Sequence, residues 1–377
     1  MDDAYRLQVD TPLASLDPRQ WDRLAGAHPA LSHAYFSALH ETGCASPRTG
    51  WTPFFLTLHR GAQLAGAVPL YLKTHSRGEY VFDHAWADAF ERHGLRYYPK
   101  LLAAVPFTPV GGPRLLAADG EARGHLARGL VELAAALKLS SLHVLFASEE
   151  DIDALRQAGC LVREGVQFHW RNAGHADFES FLADFNHDKR KKLRQDRKKV
   201  MAQDVRFRHL RGHEIGAAEL AFFYACYERT YLEHGNPPYL TRGFFERLLA
   251  ALPDSLVLVL AERRGQPLAC ALNLRGGDTL YGRYWGTMEF LPGLHFETCY
   301  MQAIEYCIAQ GLARFEGGAQ GEHKMARGLM PTPTWSAHWI ADPRFAAAID
   351  DFLGRETQAV NEYLDELARH TPLRRGA

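Results

Sequence analysis

A glycine-rich segment in the second half of the chain holds the groups best suited to catalysis. The segment FEGGAQGEHKMARG (315–328) follows a predicted strand and contains two acids, a histidine and two cations. Glycines let the backbone approach a ligand closely and expose N–H groups to an anion. A carboxylate or a neutral imidazole can take a proton from a substrate, and cations can stabilise an oxyanion. The candidate bases are Glu316, Glu322 and His323, and the candidate substrate-binding residues are Gln320, Lys324 and Arg327. A polar connection between two elements is the alternative interpretation.

A dense run of positive charge lies earlier in the chain. DKRKKLRQDRKK (188–199) holds eight Lys or Arg residues and two Asp. It contains neither Gly nor Pro, so we predict a helix with Leu193 and Val200 facing inward. Because the whole chain has a net charge of only -1, this local field could bind the phosphates of a cofactor. The predicted cofactor-binding residues are Lys191, Arg194 and Lys198. A solvated helix face is the alternative.

Three segments of the first half combine many aromatic residues with a few charges. They are GWTPFF (50–55), GEYVFDHAW (78–86) and YYPKLLAAVPFTPVGGPRLL (97–116). Such a composition can line a ligand cleft, although aromatic runs more often pack in a core. The candidate substrate-binding residues here are Glu79, Asp83, Tyr97, Lys100 and Arg114.

Length and composition exclude several classes of protein. A chain of 377 residues with 47% hydrophobic and 23% charged residues is typical of a folded protein of two domains. No run approaches 18 apolar residues, and the N-terminus resembles neither a secretory nor a transit peptide. The six cysteines show no metal-ligand spacing. We therefore expect a cytoplasmic protein without membrane insertion and without a metal.

Helical and strand patterns alternate along the chain and must position these groups. In the first half, helices are predicted at 31–41, 122–137 and 151–159, and strands at 54–59, 64–73, 142–146 and 161–170. In the second half, strands are predicted at 256–262, 268–275, 280–287 and 313–318, and helices at 296–310 and 343–369.

The second half repeats the plan of the first. At an offset of 204 positions, Leu56, Gly61, Leu64, Ala65, Gly78 and Tyr80 coincide with Leu260, Gly265, Leu268, Ala269, Gly282 and Tyr284. An internal duplication explains this recurrence, although two unrelated hairpins could also align in this way. We predict an N-terminal domain at 1–165 and a C-terminal domain at 166–377.

Residues 28–370 resemble the FemAB-like proteins, described as predicted N-acyltransferases with tandem GNAT-type folds. The resemblance is carried by GEYVFDHAWADAF (78–90), 97–116, KRKKLRQDRKKV (189–200) and the long segment from LPGLHFETCYMQ to TWSAHWI (291–340). It implies an α+β fold of two tandem GNAT-like domains in a FemAB-like arrangement.

The resemblance also implies acyl transfer to an amine. GNAT folds hold a thioester against a splayed central strand and a pyrophosphate at a helix N-terminus, whereas FemAB proteins take an aminoacyl group from tRNA and add it to a peptidoglycan precursor. The sequence lacks the Q/RxxGxG/A loop of acetyl-CoA enzymes and the coiled-coil arm of some tRNA-dependent members. The leading hypothesis is an N-acyltransferase with acyl-CoA or a similar thioester as co-substrate and a small-molecule or peptide amine as acceptor. The alternatives are an aminoacyl-tRNA-dependent transferase acting on a peptidoglycan precursor, and a non-catalytic binding protein.

Overall fold

A computed structural model describes residues 4–9, 12–318 and 321–374. The helices are α1 Pro18–Ala25, α2 His33–Glu41, α3 His84–Arg92, α4 Gly120–Ala136, α5 Glu149–Gln157, α6 Phe178–Ala183, α7 His187–Met201, α8 Ala217–Glu233, α9 Arg242–Ala251, α10 Leu294–Phe296, α11 Gln302–Ala309 and α12 Pro343–Arg369. The strands are β1 Tyr5–Gln8, β2 Trp51–Pro53, β3 Leu56–Arg60, β4 Gln63–Val68, β5 Leu70–Lys73, β6 Lys100–Ala103, β7 Leu116–Ala117, β8 Ser141–Ala147, β9 Leu161–Arg171, β10 Val205–Arg211, β11 Leu256–Arg263, β12 Gln266–Gly276, β13 Thr279–Thr287, β14 Arg314–Glu316 and β15 Met330–Ile340.

The helices begin where side chains can cap the first turn. Ser32 caps α2, Asp119 caps α4, Ser148 caps α5 and Asn186 caps α7, each by accepting a hydrogen bond from a backbone N–H. Such caps satisfy donors that have no partner inside the helix. The predicted helices at 31–41, 122–137, 151–159, 188–200 and 343–369 are confirmed within two residues at most ends.

The described residues form two compact units. The first unit contains the chain up to Gly165 together with Pro333–Tyr363, and the second contains Val166–Thr332 together with the chain from Leu364. The predicted division into domains 1–165 and 166–377 stays a prediction.

The first unit contains two sheets. The larger has the order β15-β8-β6-β5-β2, in which β6 and β8 run parallel and the other neighbours run antiparallel. The smaller is the antiparallel sheet β1-β3-β4-β7. Apolar side chains of α4 and α5, including Leu126, Leu130 and Leu155, pack with strand residues such as Leu101 and Val144 in a buried core.

The strand predicted at 64–73 is wrong as a single element. The structure divides it at Pro69 into β4, which pairs with β3 in the small sheet, and β5, which pairs with β2 and β6 in the large sheet. Proline has no N–H to donate to a sheet ladder. The break therefore lets one continuous apolar run serve two sheets.

The second unit contains the sheet β10-β11-β12-β13-β14-β9. Its neighbours are antiparallel except for β13 and β14, which run parallel. The chain between β13 and β14 passes through α10 and α11, since parallel neighbours need a crossover connection.

The two units repeat one order of elements along the chain, although the hairpin and the parallel pair lie in separate sheets in the first unit and in one sheet in the second. Each unit has an antiparallel hairpin that turns at a glycine with positive φ, Gly61 in the first unit and Gly265 in the second. Each also has a later parallel strand pair whose two strands are connected by a helical crossover, β6 and β8 in the first unit and β13 and β14 in the second. The predicted duplication is confirmed at this level. The constant offset of 204 fails beyond the hairpin, because Gly78 and Tyr80 lie in turns rather than in a strand. The counterpart of β13 in the first unit is β6, after an additional stretch that includes α3.

Within the described residues, no helix combines the length and apolar character needed to cross a bilayer.

Candidate functional site

The pairing of β13 with β14 ends at the glycine-rich segment. Their parallel pairing covers three residues and ends where Tyr281 faces Glu316. Beyond that point the N–H of Gly317 donates to the carbonyl of Phe168 on β9, at 3.2 Å. On β13, the register with β12 shifts so that Arg283 has no partner residue. β14 therefore stays with β9 while β13 bulges, and the ladder between these two central strands has a gap beyond Tyr281 and Glu316. The two backbones stay close there, since a Cβ on Gly318 would lie 3.3 Å from the carbonyl oxygen of Gly282.

Lys324 is the buried cation beside this gap. It lies on a 3₁₀-helix, Glu322–Arg327, that follows the glycines. The side chain is 2% exposed, and its Nζ donates to the carbonyl of Gly318 at 3.0 Å. Burial lowers the pKa of Lys324 to about 8. Its ammonium is therefore mainly charged at neutral pH but poorly hydrated, which is the state in which a cation interacts most strongly with a developing oxyanion.

An aromatic wall faces the 3₁₀-helix from the segment between β13 and β14. The ring of His323 lies 5.6 Å from the ring of Phe296 and 6.1 Å from that of Tyr300. The guanidinium of Arg327 lies 3.7 Å from the centroid of Phe296, a cation–π contact. Two predicted site residues, His323 and Arg327, therefore converge on the ring of Phe296.

The histidines of this site are held in the neutral form. Burial, and then the charges of Lys324 and Arg327, lower the pKa of His323. Burial, and then His323 and the same two cations, lower the pKa of His295 to about 4. A neutral imidazole can accept a proton, so His323 meets the chemical requirement for a base.

The other residues predicted in this segment occupy different positions. Glu316 is buried at the end of β14, opposite Tyr281 on one side and His169 on the other. Glu322 is exposed at the start of the 3₁₀-helix. Gln320 lies outside the described residues.

The basic helix presents one exposed cationic face. Its predicted cofactor-binding residues are all exposed, and they line an open cavity of about 290 Å³. The lining residues are His187, Arg190, Lys191, Arg194, Gln195 and Lys198. Their spacing places them on one side of a helix of 3.6 residues per turn. Val200 is buried and Leu193 is half-buried on another side, as predicted.

In the first unit, Lys100 joins three of the residues predicted there. The buried ammonium donates to Glu79 at 2.8 Å and to Asp83, and Tyr97 donates to Asp83 at 2.6 Å. Lys73 lies directly opposite Lys100 on the neighbouring strand, 3.9 Å from Glu79. Two lysines and two acidic residues therefore form one buried cluster, which we call the Lys100 cluster. Burial raises the pKa of Glu79 to about 7 and lowers the pKa of Lys73 to about 7.

Two histidines extend the Lys100 cluster into the sheet. Their Nδ1 atoms, in His143 on β8 and His338 on β15, lie 2.7 Å apart. The Nε2 of His143 lies 3.1 Å from the Tyr97 hydroxyl. Burial lowers the pKa of His338 to about 3, and burial also lowers the pKa of His143 strongly. Burial alone would raise the pKa of Asp83. The attraction of Lys100, and then of His143, is larger than this effect, so the pKa of Asp83 lies well below its ordinary value.

Arg114 supports its own loop. The residue is fully buried, and its guanidinium donates to the carbonyls of Gly112 and Val110 at 3.0 and 2.5 Å. Its backbone N–H donates to the carboxylate of Asp151 at 2.5 Å. The Arg114 guanidinium is therefore bound to backbone carbonyls inside the protein.

Several contributors were not predicted. Phe296 and Tyr300 lie within a predicted helix and His295 directly precedes it. The contact of Phe296 and Tyr300 with His323 depends on the turn taken by the glycine-rich segment, and His295 packs against Tyr300. His143 and His338 are 195 positions apart and become neighbours only through the pairing of β8 with β15. The sequence shows a lysine on each of the two strands that carry Lys73 and Lys100. It does not show the register that places these lysines opposite each other.

Comparison with known sequences identifies the family of this chain. Residues 12–375 match the FemAB-like family, described as peptidoglycan biosynthesis/recognition. The chain belongs to the FemAB-like family. Among curated proteins, no sequence matches it significantly.

Solved structures of the same fold have little sequence identity to this family member. FemX matches with a TM-score of 0.55 and 12% identity over 89% of this chain and 98% of FemX. L-PGS from Bacillus licheniformis matches with a TM-score of 0.53 and 8% identity, over 85% of this chain and 96% of that one. A tandem GNAT protein from the clavulanic acid biosynthesis pathway has a TM-score of 0.46 and 14% identity, over 90% of this chain and 99% of that one.

The fold and the enzyme class predicted from the sequence are confirmed. The FemAB-like protein has an α+β fold with two tandem GNAT-like domains, and it is a transferase of acyl or aminoacyl groups. Within residues 4–9, 12–318 and 321–374, no group of three or more His, Cys, Asp or Glu side chains could hold a metal ion.

Proposed function

We propose that this transferase moves an aminoacyl group from aminoacyl-tRNA to the amine of a peptidoglycan precursor. The observation that carries the choice of donor is the exposed cationic face of α7. From His187 to Lys198 this face spans twelve residues, or roughly 16 Å of helix axis at about 1.5 Å per residue step. A single pyrophosphate is much shorter, whereas an RNA backbone presents charges along its whole length. The family's connection with peptidoglycan supports the choice of acceptor.

The chemistry is assigned to the gap between β13 and β14. The acceptor amine attacks the ester carbonyl carbon of the aminoacyl group, and neutral His323 takes the proton that the amine loses. The buried ammonium of Lys324 stabilises the oxyanion of the tetrahedral intermediate. Collapse of the intermediate breaks the ester bond, and the ribose oxygen leaves and regains a proton. Arg327, on the same 3₁₀-helix, binds an anionic group of a substrate.

An RNA-binding measurement tests the donor assignment. The variant Lys191→Gln, Arg194→Gln, Lys198→Gln removes three charges from the cationic face. A matched control, Lys189→Gln, Lys192→Gln, Lys199→Gln, removes three charges from exposed positions of the same helix that do not line this face. Binding of deacylated tRNA is followed by fluorescence anisotropy at increasing salt.

The cationic-face variant is expected to bind more weakly and to reduce the slope of log K against log salt by about 2 to 3, since each lost phosphate contact contributes roughly 0.7 to 0.9. The control is expected to change the slope by less than half as much. Equal effects of the two variants, or no binding of tRNA by the unmodified protein, would remove the RNA donor and return acyl-CoA as the leading candidate.

A further inference from the structure

Arg197 on α7 packs against the helical segment between β13 and β14 and is largely shielded from solvent. Its Nε lies 3.3 Å from Oε1 of Glu297, and its Nη2 donates to the carboxylate of Glu305. The guanidinium also lies 4.3 Å from the centroid of the Phe178 ring. Only 23% of the side chain is exposed. Arg197 therefore joins α7 to the helical segment between β13 and β14 by two ion pairs.

The carboxylates bound by Arg197 belong to a closed network. Glu297 is 3% exposed, and the amide of Gln302 donates to Glu297 at 2.8 Å and to Glu305 at 3.2 Å. Burial raises the pKa of Glu297, although Arg197 opposes this. A buried carboxylate that loses its cation is strongly destabilised. The position of this segment therefore depends on Arg197.

The same segment carries the aromatic wall of the candidate site. Glu297 opens a π-helical turn, Glu297–Met301, inserted between α10 and α11. Such turns are rare and are frequently found at functional sites. Phe296 precedes the turn and contacts Arg327, and Tyr300 lies within it beside His323. The turn that Arg197 holds thus sets where both rings meet the predicted base.

We infer that Arg197 is a positioning residue that couples polyanion binding on the outer face of α7 to the arrangement of the aromatic wall. This inference rests on the proposed function. One helix carries both the cationic face and Arg197, so an RNA that orders α7 also favours the position from which Arg197 reaches Glu297 and Glu305. The coupling is a free energy shared by the two sites, and it acts in both directions.

Hydrogen exchange measured with and without RNA tests the coupling. Exchange of backbone amides in peptides covering 294–302 is followed by mass spectrometry, with saturating deacylated tRNA as the probe. We expect tRNA to slow exchange of this segment in the unmodified protein by at least about fivefold, the lower end of typical coupling effects. Arg197→Gln is expected to retain tRNA binding but to lose this protection.

Activity measurements separate positioning from binding. Arg197→Gln is expected to lower kcat for aminoacyl transfer while leaving KM for aminoacyl-tRNA nearly unchanged. Arg197→Lys keeps the charge but cannot reach two carboxylates in one geometry, so it restores only part of kcat. Lys192→Gln, which removes an exposed charge paired with Asp196 on the same helix, serves as the control and leaves both exchange and kcat unchanged.

Each outcome bears on the inference. If tRNA binds but does not protect 294–302, the inference fails and the proposed function stands. If tRNA does not bind at all, the proposed donor fails together with the inference. Should Arg197→Gln not fold, Glu305→Gln weakens the same link at a half-exposed carboxylate, and unchanged protection and kcat in that variant would overturn the coupling.

Discussion

Replacement of Lys100 by methionine tests whether the Lys100 cluster is an internal structural network. Lys100 is fully buried and donates to Ser76, Glu79 and Asp83. In Lys100→Met, two carboxylates remain buried with Lys73 as the nearby cation, 3.9 Å from Glu79. Loss of one partner from a buried ion pair costs about 3 to 5 kcal/mol of unfolding free energy. For a unit of this size the melting temperature should fall by roughly 6 to 20 °C, at about 2 to 4 °C per kcal/mol.

Equilibrium urea unfolding and thermal unfolding, followed by tryptophan fluorescence, measure this loss. Arg156→Gln, which breaks an exposed ion pair with Asp153, should change the unfolding free energy by less than about 0.5 kcal/mol. Adding Glu79→Gln and Asp83→Asn to Lys100→Met removes both orphaned charges and should recover part of the stability. A loss below about 1 kcal/mol in Lys100→Met would refute the reasoning, because a cation that costs so little to remove is not compensating buried charge.

Two further predictions concern histidines. The free energy of unfolding should fall as pH decreases from about 6.5, because burial depresses the pKa values of the His143 and His338 imidazoles. The contribution of these imidazoles to stability is present above the unfolded-state pKa and is lost as pH falls toward the folded-state pKa. The loss is about 1.4 kcal/mol per pH unit for each proton taken up on unfolding. His338→Gln should reduce that slope in urea unfolding between pH 6.5 and 4, and an unchanged slope would show that His338 is not the titrating group. His323→Ala should lower turnover by roughly 100-fold or more if His323 is the base with little change in melting temperature; a large loss of stability with nearly normal turnover would assign His323 to the fold.

Local patterns predicted most of the elements because their causes are local. The basic helix was predictable since twelve successive residues contain neither Gly nor Pro. The structure adds that Asn186 caps its first turn. The division of 64–73 at Pro69 was missed because both pieces are equally apolar and only the sheet they join distinguishes them. Lys100, Glu79, Asp83 and Tyr97 were predicted together with Arg114 as substrate-binding residues, and the structure brings the first four into contact but not Arg114. Their partners His143 and His338 come from strands far apart in the chain.

The candidate site shows the same limit. The glycine-rich segment was recognised by its composition, and the structure brings His323, Lys324 and Arg327 together on one 3₁₀-helix. Burial separates their roles: Lys324 is buried, whereas Glu322 in the same helix is exposed. No periodicity in the sequence distinguishes these two positions, because the short helix follows glycines whose backbone directions are set by the neighbouring strands.

Single-turnover transfer by the unmodified protein and by Lys324→Met tests the central claim most directly. The protein is mixed in excess with radiolabelled aminoacyl-tRNA and amine-bearing peptidoglycan-precursor peptides, and in parallel with labelled acetyl-CoA and the same peptides. We predict a labelled amide product from aminoacyl-tRNA only, with the rate reduced by about 100-fold or more in Lys324→Met, as expected for loss of oxyanion stabilisation. Product formed from acetyl-CoA but not from aminoacyl-tRNA, or an unchanged rate in Lys324→Met, would contradict the account.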